Sequence, residues 1–152
     1  MRVLEHKKTI DSSGVYDFVF QSQTKNVTID VKENINVTLH LIFKEANNFN
    51  LKLKFKNNEV KLVNVCLDGA SRVKQIFDAS KSNIKALSCF NSKCDSFNLE
   101  ANLKEESNIE LDNIIINKEN MKQVYDFRIN HLSPYTESNL RNYAVTDNDS
   151  KL

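Results

Sequence analysis

The chain has 152 residues (17.5 kDa), with 21 basic and 20 acidic side chains and a formal net charge of +1. That is one domain's worth, long enough for a sizeable core, and the balanced charge removes the electrostatic case for nucleic acid or an anionic membrane, which need a basic excess on one face. No apolar run approaches the roughly 20 residues that span a bilayer. The start, MRVLEHKKTID, lacks the apolar stretch and small-residue cleavage site of a signal peptide. Three cysteines, Cys66, Cys89 and Cys94, are too few and odd in number for a disulfide framework. A cytoplasmic location is the expectation.

Residues 1–14, closing on Asp11-Ser12-Ser13-Gly14, read as a strand or a loose leader. Alternation then dominates. Val27, Ile29 and Val31 are followed by Ile35, Val37, Leu39, Leu41 and Phe43, and then by Phe49, Leu51, Leu53 and Phe55. Thr28 and Asp30, then Asn36, Thr38 and His40, then Asn50, Lys52 and Lys54 face the other way. A period of two predicts strands with one face on a core and one in water. Asn47-Asn48 and Asn57-Asn58 lie between apolar runs and predict turns, because asparagine tolerates the left-handed backbone in a chain with only two glycines. Across residues 71–87, Val73, Ile76 and Phe77 suit a 3.6-residue period and predict a helix, with a second short one over residues 121–125. Strand alternation returns at Phe97, Leu99, Ala101 and Leu103, and again at Tyr125, Phe127 and Ile129.

A faint repeat overlies this pattern. Polar or small pairs precede an apolar residue at Val60, Val73, Ile84, Phe97 and Ile109, which lie 13, 11, 13 and 12 positions apart by their numbers. One strand and one turn occupy about 10 to 13 residues, so two such units would make a coil of a parallel β-solenoid, each coil about 4.8 Å from the last. An antiparallel β-sandwich gives similar strand spacing and is the alternative. No Pro-, Gly- or Ser-rich linker divides the chain, so residues 1–152 are expected to be one β-domain.

Few residues suggest chemistry. Cys89 and Cys94 are the one close cysteine pair that could offer metal ligands, whereas zinc wants two such pairs, and Cys66 in VNVCLDG reads as a small buried hydrophobe. His40 falls on the polar side of its strand and His6 has no context. His131 continues the register of Tyr125, Phe127 and Ile129 and reads as a core histidine with one nitrogen hydrogen-bonded. Ser133, Thr136 and Ser138 surround the only proline, Pro134, without a nucleophile elbow, and no glycine-rich loop exists to hold phosphate. Glu105-Glu106 reads as a solvated turn. No enzyme emerges from the residues, and no cofactor bound by the chain alone.

The segment FRINHLSPYTESNLRNYAVTDNDSKL, however, resembles the SufB/SufD family, whose SufD-like members carry an H-x-x-P-x-T-x-S pattern, a short strand and then D-x-S. The matching positions are His131, Pro134, Thr136 and Ser138, followed by Asp147 or Asp149 and Ser150. The resemblance implies a right-handed parallel β-helix and a non-catalytic scaffold role in iron–sulfur cluster assembly. Family members pair SufB with SufD through their β-helices, bind a SufC ATPase and build the cluster on the pair. Implied partners are therefore a SufB-like protein, a SufC-like ATPase indirectly, or a second copy in a homodimer, with any cluster at a partner interface. Family members also carry helical regions and further coils, so the resemblance implies a shortened member from which no cluster-handling residue can be carried over.

Overall fold

The computed structural model describes residues 5–21, 26–67, 70–91, 95–117 and 122–146. Wherever the apolar alternation runs, the chain is extended, because only a pleated strand sends every second side chain to one face. Twelve strands result: β1 (Glu5–Ile10), β2 (Gly14–Phe20), β3 (Asn26–Val31), β4 (Asn36–Phe43), β5 (Asn47–Lys56), β6 (Glu59–Cys66), β7 (Ser71–Ser80), β8 (Asn83–Phe90), β9 (Ser96–Lys104), β10 (Asn108–Asn117), β11 (Val124–His131) and β12 (Glu137–Thr146). Odd strands form one six-stranded sheet in the order β1-β3-β5-β7-β9-β11, and even strands form the other, in the order β12-β10-β8-β6-β4-β2. We call these sheets A and B.

Each strand therefore pairs with the strand two ahead of it, never with its sequence neighbour, and all the pairings are parallel. This is a parallel β-helix, and the antiparallel sandwich is excluded. The repeat read from the sequence is its half-coil: Val60, Ile84 and Ile109 are register partners in sheet B, and Val73 and Phe97 in sheet A. Glu5–Ile10 belongs to sheet A beside β3, so this part of the expected leader is a strand of the solenoid.

The helix expected over residues 71–87 is not present; β7 and β8 occupy it. Two exceptions to the alternation misled the periodicity. Ile76 is apolar but takes an outward position, and Gln75 is polar but wholly buried between Val73 and Phe77. The helix expected over residues 121–125 fails likewise from Val124 onward, where β11 begins, while Met121 lies outside the described residues.

The core lies between the sheets. Leu39, Leu41, Leu53, Leu62, Phe77, Leu99 and Leu111 are all inaccessible. One corner is aromatic: Phe20 packs on Phe43 and Phe49 with ring centroids 5.1 and 4.7 Å apart, and Phe90 packs on Phe97 and Tyr125 at 4.7 and 4.8 Å. Such pairs add about 0.5–1.5 kcal/mol each beyond their buried area. Cys66 sits between Phe43 and Phe90 in sheet B and is buried, as a small hydrophobe should be.

Candidate functional site

The corner between β11 and β12 holds the four motif residues, and its form is dictated by the coils before it. At the equivalent corner of the four preceding coils from β3–β4 to β9–β10, a residue with positive φ stands two positions before the sheet B strand: Asn34, Asn57, Lys81 and Glu106, with Tyr135 in the fifth place. After Asn57, Lys81, Glu106 and Tyr135 the next residue turns a polar side chain into the corner, whereas Asn34 is followed by apolar Ile35. Asn58 donates to the carbonyls of Lys32 (2.8 Å) and Ile35 (3.0 Å) and accepts from the Lys56 amide (2.6 Å). Ser82 and Ser107 are buried there, donating to the carbonyls of Ser80 (2.8 Å) and Lys104 (2.5 Å). Thr136 takes the same place and donates to the Ser133 carbonyl (3.1 Å). Pro134 and Tyr135 thus fall in a turn that the fold already uses, as the reading of a corner between coils expects.

His131 is the addition. It ends β11 in register with buried Leu103, an inward position as expected, yet its side chain is exposed and not in the core. The reason is its place in the stack: β11 is the edge strand of sheet A, so no further described strand covers it. Both ring nitrogens are engaged, Nδ1 with Thr136 Oγ1 at 2.7 Å and Nε2 with Ser138 Oγ at 3.0 Å. Proton accounting orients the chain of bonds. The Thr136 hydroxyl proton goes to Ser133 O, so Oγ1 accepts from Nδ1–H, and Nε2 meets the Ser138 hydroxyl. Ser138, in register with Ile109, lines a groove of about 390 Å³ along the strand starts with Glu59, Asn83, Asn108 and Glu137. Among the described residues no carboxylate touches His131, so the relay lacks the charged partner that stabilises an imidazolium in catalytic triads. The arrangement suits a clip that locks β12 onto the end of β11.

The remaining candidates do not gather here. Cys89 is half-buried on the outer face of sheet B, and Cys94 lies outside the described residues, as do Asp147, Asp149 and Ser150. Among the described residues no three His, Cys, Asp or Glu side chains are close enough to hold a metal ion. His40 is partly exposed on the outer face and bonds Asp17 Oδ1 through Nδ1 at 2.7 Å. His6 is exposed on β1. Among the described residues no helix is long and apolar enough to cross a membrane.

The sequence reading passed over a second surface. The outward residues of sheet A are polar in successive register rows: Thr28, Lys52, Ile76, Glu100 and Arg128 in one, and Asp30, Lys54, Asp78, Asn102 and Asn130 in the next, with Ile76 the exception. Sheet B differs. Val19, Ile42, Val65, Cys89, Ile114 and Tyr143 are consecutive register partners, one from each of its six strands, and none is buried. The available signal was local loss of alternation, as in Leu41-Ile42-Phe43 and Ile114-Ile115-Ile116.

Searches of protein-family models, of curated proteins and of solved structures return no match to this chain.

Proposed function

We propose that this chain is a non-catalytic, SufD-like scaffold subunit of iron–sulfur cluster assembly, working in the cytoplasm by pairing with a SufB-like protein. One observation carries the reading: His131, Thr136 and Ser138, matched to the family pattern from sequence, converge on one corner of a parallel β-helix, held by bonds of 2.7 and 3.0 Å. The fold is the one that the resemblance implies. The edge strand β12 supplies a pairing surface, since all ten of its residues are exposed and its far side meets no described strand. Such an edge templates the addition of another strand. In this reading a SufC-like ATPase joins through the partner, and any cluster is cargo at the shared interface rather than a resident cofactor. The alternative, a stand-alone β-rich interaction or surface module, draws on the apolar column of sheet B, which a purely cluster-related role leaves unused.

Co-expression with a SufB-like protein tests the proposal. A stoichiometric complex that survives gel filtration at about ten micromolar supports it. Separate elution of two folded proteins at that concentration overturns it.

A further inference from the structure

From the outer face of sheet B we infer a docking track for an amphipathic α-helix with an acidic flank, supplied by a partner protein. This does not depend on the cluster-assembly reading.

The column Val19, Ile42, Val65, Cys89, Ile114, Tyr143 crosses six strands, so at about 4.8 Å per strand it is about 24 Å long and runs along the solenoid axis. At 1.5 Å per residue a helix of about 16 residues matches that length, and its 5.4 Å pitch sets one apolar turn near each strand. The track widens over the central strands, where Val63 and Leu87 are adjacent register partners beside Val65 and Cys89. Leu87 is 38% exposed, Val19 55% and Tyr143 56%. Among the described residues sheet A, built from the same repeat and facing the same solvent, carries no such column. The apolar choice is therefore specific to one face, and a row of this length is more than the scattered exposed apolar residues that any surface shows.

Charge then selects the occupant. Lys61 and Lys85 are exposed register partners bordering the widened part on one side. Lys61 makes no ion pair with any described residue, and Lys85 reaches only Glu110, at 3.9 Å. A helix with carboxylates along one flank supplies what these lysines lack. A second copy fits less well: a two-fold axis along the strands between β6 and β8 would set Lys61 against Lys85. An anionic membrane fits less well too, because it would lie over Glu110 and Asp112 as well as the lysines, whereas a helix flank can set its carboxylates beside Lys61 and Lys85 and away from those two.

The test uses the full chain and a fluorescein-labelled synthetic 18-residue helix with leucines on one face and glutamates flanking them. Two control peptides accompany it, one with the same composition scrambled and one with lysine in place of glutamate. The glutamate helix is expected to saturate in the micromolar range, at least about tenfold tighter than either control. Val65→Glu and Ile114→Glu, both at outward positions, should each weaken it at least about tenfold with circular dichroism unchanged. Lys61→Glu combined with Lys85→Glu should transfer preference to the lysine helix. Equal binding of all three peptides, or no response to the charge reversal, overturns the inference. So does sedimentation showing a dimer that Val65→Glu dissolves, or binding to vesicles containing phosphatidylglycerol that the same substitution abolishes. Stripe variants should leave a complex with a SufB-like protein intact, which separates failure here from failure of the cluster-assembly reading.

Discussion

Asn34, Asn57, Lys81, Glu106 and Tyr135 hold φ values between 48° and 65°, a region where a side chain's Cβ crowds the backbone. The two asparagines tolerate it, and Asn57 was legible as a turn. Lys81, Glu106 and Tyr135 were not, because coil closure imposes their conformation and local preference opposes it. Lys81→Gly should therefore raise stability by about 0.5–1 kcal/mol, after glycine's extra unfolded-state entropy and a weak surface ion pair to Glu105 are set against the relieved strain. A thermal midpoint about 2–3 °C higher would confirm it. Asn58→Ala should act in the opposite sense. It leaves two carbonyls and one amide at a buried corner without their partner, at a cost of about 2–3 kcal/mol in urea unfolding. His131→Ala removes two exposed hydrogen bonds and should lower stability by about 1 kcal/mol while leaving strand content by circular dichroism unchanged.

Within the elements, β6, β7 and β8 carry the least expected interaction. Asn64 and Gln75 face each other across the core, exchanging bonds of 2.9 and 3.0 Å, and Asn64 also donates to Ser88 at 3.1 Å. All three are inaccessible. Buried amides are tolerated because every group of the pair is satisfied, so removing one partner should cost more than removing both. Gln75→Leu is expected to destabilise by about 2–3 kcal/mol, and adding Asn64→Leu should recover part of that loss. A double-mutant cycle in urea gives the coupling directly. The same pair explains the misread helix in β7. Polar Gln75 inside and apolar Ile76 outside broke the period of two at adjacent positions, and a period nearer 3.6 then fitted residues 73, 76 and 77. In β4 and β9, where no inward position is polar, the alternation was legible without help.

The whole molecule is a stack, so charges on its outer faces meet mainly between coils, with Arg128 and Asp126 of β11, 3.7 Å apart, a pair within one strand. Lys52 bonds Asp78 at 2.7 Å, and Arg141 grips Asp112 through Nε and Nη2 at 2.5 and 2.8 Å. Burial alone would raise the Asp78 carboxyl. Hydrogen bonds from Lys52 and Asn102, with the charges of Lys52 and Lys104, outweigh it and hold the group below its usual 3.8. The hydrogen bond from Arg141, aided by its charge, lowers Asp112 in the same way. A carboxylate depressed in the folded state stabilises it above the unfolded value and loses that contribution as pH falls through the folded one. The urea midpoint should accordingly decline below about pH 4, and Asp78→Asn combined with Asp112→Asn should flatten that decline. By itself the sequence determined the period-two strands, the half-coil of 11 to 13 positions and the corner at residues 131–138, because each follows from local pleat geometry and turn chemistry. Tertiary structure decided that the strands pair in parallel with the strand two ahead. It also decided that His131 meets Thr136 and Ser138 rather than the core, and that six residues scattered over residues 19–143 form one apolar column. Those outcomes depend on which coil stacks on which, and hydrogen bonding between strands about 24 residues apart settles that.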